Sequence, residues 1–263
     1  MRNILLTISY DGTSFCGWQR QDKSDRGSSV RTVQGELETA LEKLHGEKIT
    51  LHGSGRTDSG VHAAGQAADF KSPVDSLPAE KYPLAINSFL PDDVRVMKAE
   101  VVPDKFSARY NATSRVYRYF LYTGEVTPAV QMKYVWPLHY MPDIERLNRM
   151  ASCLNGELDC ASFAAAGDKS ISTCRYIDRA RFFTQEAFPE GKLLVFEIEA
   201  NAFLWKMVRT VTGTLIQAEK AGYDKAGFQE IIDARDRTQS GMTAPPQGLF
   251  LWKIKFDGIR RHV

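Results

Sequence analysis

The hydrophobic period of this chain switches in the order strand, helix, strand, strand, helix, strand, and it does so twice. That doubled β-α-β-β-α-β reading limits the fold more than any other feature, because it is the element order of a ferredoxin-like unit. In the first half Ile4, Leu6 and Ile8 alternate over residues 2–10 until Asp11-Gly12 ends the run. From Thr32, a residue suited to a helix N-cap, Val33, Leu37, Leu41 and Leu44 fall on one helical stripe. Short strands are expected over 48–52 and 61–70. Pro83 suits the first turn of a helix over PLAINSFL, Pro91 stops it, and 94–102 supplies the next strand.

The second half repeats this order of elements without repeating their sequence. Residues 115–123 alternate as a strand, and Ile144, Leu147, Met150 and Leu154 share one face of a helix over 143–154. Strands follow at 175–183 and 193–200. A long helix over 203–220 buries Val208, Val211 and Leu215, a shorter one lies near Phe228 and Ile232, and the last strand is 249–256. The expected class is α+β: two ferredoxin-like (RRM-like) halves, 1–106 and 107–263, with mainly antiparallel sheets flanking a central cleft. Residues 124–141, with Pro128, Pro137 and nearby Pro142, read as an insertion or lid.

Composition narrows the function classes. A chain of 263 residues, 43% apolar and 25% charged, can bury a substantial core as one large or two small domains. No stretch has the apolar length of a membrane span, and the N-terminus lacks the longer apolar core of a secretory leader, so a cytoplasmic protein is expected. Cys16, Cys153, Cys160 and Cys174 form no C-x-x-C pair, which favours reduced, mostly buried thiols over a metal site. Net charge is only +2, yet arginine clusters at Arg20, Arg26 and Arg31 and again at Arg109, Arg115 and Arg118. Each cluster reads equally as a phosphate-binding patch or a solvated face.

The most unusual stretch is GSGRTDSGVHAAG at 53–65, between two expected strands. Its glycines allow backbone to approach a ligand closely, and a loop held by strands is where functional groups concentrate. It is neither a phosphate loop nor a serine-nucleophile elbow, since G-x-x-x-x-G-K-[ST] and G-x-S-x-G are both missing. On residues alone, Asp58 beside Arg56 is either a catalytic carboxylate or a turn-capping ion pair.

GRTDSGVHA resembles the signature of the TruA family of pseudouridine synthases. Other blocks that resemble the family occur in order: YDGTSFCGWQRQ, TVQGELETAL, NSFLPDDVRV, FSARYNATSRVYRYFLY, ASFAAAGD, NAFLWKMVRTVTGTL and TAPPQGLFLWKIKF. Together they span nearly the whole chain. Two departures stand out: Ser59 replaces the usual alanine, and residues 22–30 form a longer segment than is typical.

The resemblance implies isomerisation of uridine to pseudouridine in the anticodon arm of tRNA, at positions thirty-eight to forty. It implies an RNA-binding cleft, a homodimer, no metal and no redox or nucleotide cofactor. It makes Asp58 the catalytic nucleophile and sets Arg209, from the MVR segment, against it as the cation that keeps it ionised. Tyr117 then stacks on the target base and assists proton removal, with Tyr119 as a core aromatic, and Leu249 packs near the base. Arg56 holds a phosphate beside the extruded nucleotide. His62 is an RNA contact or a loop organiser, and Thr57, Gln66, Arg20 and Arg115 are further binding candidates. A closer rival, a related synthase with a different RNA target, stays open, although the compact length favours the bacterial tRNA form; two others fit less well. A non-catalytic RRM-like binder lacks its RNP1 run here, and a hydrolase using Asp58 and His62 lacks a metal-ligand cluster.

Overall fold

A computed structural model of the chain describes residues 1–21 and 30–261; Arg26 of the first arginine cluster and most of the long segment after Gln21 lie outside them. The described residues form a mixed α+β protein with five α-helices and mainly antiparallel strands. Two compact units emerge. One is Met1–Ala112 with Phe250–Phe256, the other Thr113–Leu249 with Asp257–Val263.

The first unit contains β1 (Arg2–Tyr10), α1 (Val33–His45), β2 (His52–Gly53), β3 (His62–Ser72), α2 (Tyr82–Asn87) and β4 (Val94–Val102). β1 lies between β3 and β4, antiparallel to both, with Arg2 opposite Ser72 and Tyr10 opposite Val94. Alternation along β1 places Ile4, Leu6 and Ile8 in the core, where all three are fully enclosed. The strand expected over 48–52 is shorter than its sequence suggested: pairing begins only at His52, opposite Asp69 of β3.

Helix α1 starts where its cap predicts. The Thr32 side chain accepts a bond from the Gly35 N–H at 3.3 Å, and Gly46 closes the helix in a left-handed conformation. Thr32→Ala is therefore expected to lower unfolding stability by about 1 kcal/mol. A denaturant titration with unchanged slope would register it; an unchanged midpoint would contradict the cap.

His45, in the last turn of α1, packs against the rings of Phe70 and Tyr82, each 6.0 Å away. Both of its ring nitrogens are enclosed without a hydrogen-bond partner among the described residues. Burial lowers its pKa from the usual 6.5, against the smaller opposing pull of Glu47. The neutral form is thus favoured by folding, so its contribution to stability is complete above pH 6.5 and is lost as the pH falls below that value. His45→Leu should flatten the acid side of the melting-temperature profile, and a profile as steep as wild type would refute this account.

The second unit contains β5 (Ser114–Tyr122), β6 (Trp136–Pro137), α3 (Ile144–Ala151), β7 (Gly156–Asp159), β8 (Cys174–Glu186), β9 (Lys192–Ala200), α4 (Met207–Lys220) and α5 (Lys225–Asp233). Its sheet runs β5-β9-β8-β7 with every neighbour antiparallel, and β6 lies parallel to β5. The expected insertion at 124–141 holds β6 and a short 3-10 turn, Ala129–Gln131.

Four further expectations change. The boundary falls after Ala112 rather than 106, and the last strand, β10 (Leu249–Lys255), does not stay with its own half. It pairs parallel with β3, Phe250 opposite His62 and Leu251 opposite Ala63. The long helix begins at Met207 instead of 203, because Lys206 is left-handed at φ 60° and cannot propagate an α-helix. Of the four thiols only Cys160 is buried, its pKa pushed up to about 12 by that burial; Cys16 is exposed.

Candidate active site

In the first unit the loop joining β2 to β3 carries Arg56, Thr57 and Asp58, and the segment 10–19 that follows β1 grips it. The Trp18 N–H donates to the Thr57 carbonyl at 3.1 Å, and the Gly60 N–H to the Phe15 carbonyl at 3.3 Å. The Tyr10 and Thr57 hydroxyls lie 2.8 Å apart, and Ser59 Oγ donates to the Phe15 carbonyl at 3.2 Å. A turn closes over Asp58: the Val61 N–H donates to its carbonyl at 3.2 Å, with Gly60 third in the turn at φ 77°. Only glycine takes that positive φ without strain, as a type II turn requires.

The same grip explains Gly17. It sits at φ 95°, and a Cβ there would come within 2.6 Å of the Thr57 carbonyl oxygen. The two backbones are in direct contact one residue before the carboxylate. The result is a half-buried Asp58 on a loop fixed from both sides, with Arg56 exposed beside it.

The remaining first-unit candidates divide by burial. His62 is fully enclosed, stacked on Phe250 at 4.6 Å, and its Nδ1 accepts from the Gly12 N–H at 3.0 Å. Gln66 is equally enclosed and donates to the Gly55 carbonyl at 2.8 Å. Gln66 thus ties to the loop at Gly55 and Thr57 ties the loop to Tyr10, whereas the bond to His62 comes from Gly12 on the gripping segment. Arg20 is exposed and pairs with Glu38 at 2.9 Å, while Arg31 grips Asp93 at 2.7 Å and Glu36 at 2.8 Å.

In the second unit Tyr117 and Tyr119 point to one face of β5. Tyr117 meets the edge of Phe203 at 5.0 Å. Tyr119 is fully buried and its hydroxyl donates to the Pro245 carbonyl at 2.7 Å, the core role expected of it. Burial pushes the Tyr119 pKa up, and the nearby positive charge of Arg209 pulls the other way. Arg209, in the first turn of α4, is clasped by the TAPP segment: its Nε donates to the Ala244 carbonyl at 2.7 Å, and the Ala244 N–H donates back to its carbonyl at 3.1 Å. Leu249 is buried at the start of β10. Arg115 donates to the Asn201 carbonyl at 2.7 Å, and Arg118 pairs with the buried Glu197 at 2.8 Å.

Sequence reasoning missed the grip residues Tyr10, Phe15 and Trp18, and the clasp at Ala244. Their only signal was that their motifs accompany GRTD along the chain.

The model of a family described as tRNA pseudouridine synthase matches residues 6–111 and 150–257, most of the chain. This chain belongs to the tRNA pseudouridine synthase family. Its relatives include proteins named tRNA pseudouridine synthase A from Treponema denticola, 53% identical over 255 residues, 97% of this chain and 93% of that protein. The Treponema pallidum protein of the same name is 49% identical over 92% of this chain and 84% of its own length. That of Caldicellulosiruptor saccharolyticus is 40% identical over 97% of this chain and all of its own. The two matched segments of the synthase model include both the gripped loop and the clasped Arg209. Among the described residues no helix is long and apolar enough to cross a membrane.

Proposed function

We propose that this chain converts uridine to pseudouridine in the anticodon arm of tRNA, at positions thirty-eight to forty, with Asp58 as its catalytic carboxylate. The observation that carries the reading is a half-buried aspartate on a loop held by backbone bonds at Thr57, Gly60 and Val61 and by the Ser59 hydroxyl, in a chain of this family. The reaction breaks the N1–C1′ bond, turns the base and joins C5 to C1′. The proton on C5 leaves and N1 gains one, so atoms and electrons balance without an oxidant, a reductant or a cofactor.

Each candidate then has a task. Asp58 acts on the sugar or the base, and Arg209 is the cation that keeps it ionised. Tyr117 stacks on the target base, Leu249 packs beside it, and Arg56 takes a backbone phosphate. Arg20 and Arg115 extend the contact with tRNA, whose arm is recognised by shape and backbone. Thr57, His62 and Gln66 act indirectly by holding the loop. The working enzyme is a cytoplasmic homodimer, with one tRNA touching both copies.

The test is to incubate the purified chain with unmodified tRNA carrying tritium at uridine C5, without added cofactor, and to map the product. Tritium release with pseudouridine confined to the anticodon arm is expected. Tight tRNA binding without release would favour the binding-module reading, and release mapped elsewhere would assign a different target.

A further inference from the structure

Arg56 does not stand alone on its loop. Its Nε donates to Gln19 Oε1 at 3.1 Å, and Gln19 Nε2 donates to Gln34 Oε1 at 2.8 Å. Gln34 Nε2 donates in turn to Glu38 Oε1 at 3.0 Å and to the Leu51 carbonyl at 3.1 Å. Gln34 and Glu38 are buried on α1, one helical turn apart. Glu38 also accepts from the Leu51 N–H at 3.2 Å and from Arg20 at 2.9 Å, so its charge is held at the far end.

The chemistry of the two ends sets the direction of this chain. A guanidinium has only donors and an ionised carboxylate only acceptors. Each glutamine between them must therefore present its carbonyl towards Arg56 and its amide N–H towards Glu38. A glutamate or a leucine at position 19 or 34 breaks that polarity, whereas the glutamine amide accepts on one side and donates on the other.

We propose that Gln19 is the positioning residue for Arg56, anchored through Gln34 to the buried end of α1. A long arginine side chain in solvent otherwise spends much of its time away from any one direction, so a relay to a rigid helix aims it before tRNA arrives. The inference rests on the proposed role of Arg56 in gripping tRNA beside the target nucleotide. It deepens that role by naming the residues that hold the grip ready.

The test is a double-mutant cycle on kcat/KM with unmodified tRNA, using Gln19→Ala, Arg56→Ala and the pair. Gln19→Ala alone is expected to lower kcat/KM about 10-fold, the order of one hydrogen bond to a charged group. In the Arg56→Ala background the same change should add less than about 2-fold, because the residue through which it acts is gone. Thermal midpoints taken alongside should stay together, since Gln19 is at the surface end of the relay; Gln34→Leu, at the buried end, should reproduce the Gln19→Ala effect. Additive losses, or a Gln19→Ala enzyme as active as wild type, would overturn the proposal while the wild-type activity still stood. A wild-type chain that neither modified nor bound tRNA would instead bring down the functional reading, and the relay's purpose with it.

Discussion

Asp58→Asn protein should fold, bind tRNA with nearly wild-type affinity, and form pseudouridine more slowly by about four orders of magnitude. Asparagine keeps the size and shape of the side chain and removes its charge. The bonds that fix the loop run through the Thr57 and Asp58 carbonyls, the Gly60 and Val61 N–H groups and the Ser59 hydroxyl, all of which survive the change. A loss of rate without a shift in melting temperature or tRNA affinity therefore reports the carboxylate itself. Ser59→Ala is the matched control: it removes only the 3.2 Å bond to the Phe15 carbonyl and restores the alanine more usual in the family, and its rate should stay within a few-fold of wild type. Tritium release from C5 measures both. If the asparagine variant kept a tenth of the wild-type rate, the reaction would be using another group.

Local pattern made the frame legible but not its closure. The Ile4, Leu6, Ile8 alternation and the Thr32 cap are short-range signals, and both stand where their sequence puts them. What the final strand does is different. Leu249–Lys255 reads as any half-buried strand, and nothing in its residues says that Phe250 and Leu251 pair with His62 and Ala63 nearly two hundred positions earlier. The late start of α4 was hidden for a similar reason: Phe203 and Leu204 continue a helical stripe on paper, but in the fold Phe203 is taken by Tyr117 and Lys206 turns left-handed. At the site, Asp58 and its loop were visible as an oddity of composition, whereas the grip around them is made of long-range backbone bonds that no spacing rule encodes. His62 illustrates the cost, since a histidine in a reactive-looking loop turns out to be sealed beneath it.

That grip can be tested by comparing two glycines that share a left-handed backbone but not their surroundings. Gly46, at φ 74°, ends α1 with nothing within 4 Å of where a Cβ would stand. Gly46→Ala should therefore cost only the strain of alanine at positive φ, about 1 kcal/mol, with activity unchanged. Gly17, at φ 95°, carries the same strain, and its Cβ would also meet the Thr57 carbonyl oxygen at 2.6 Å and the Asp58 carbonyl carbon at 3.3 Å. Backbone cannot swing aside as a side-chain tip can, so Gly17→Ala must push Thr57 and Asp58 outward. Overpacking of this kind adds roughly 1–3 kcal/mol to the strain, for a total of about 2–4 kcal/mol. Displacing a catalytic group by about 1 Å costs on the order of a hundredfold in rate. Gly17→Ala should thus lose both stability and at least that much activity when assayed well below its own melting temperature, whereas Gly46→Ala loses a little of the first alone. Equal activity in the two variants would mean that the carboxylate is held by something other than the contact between segment 10–19 and its loop.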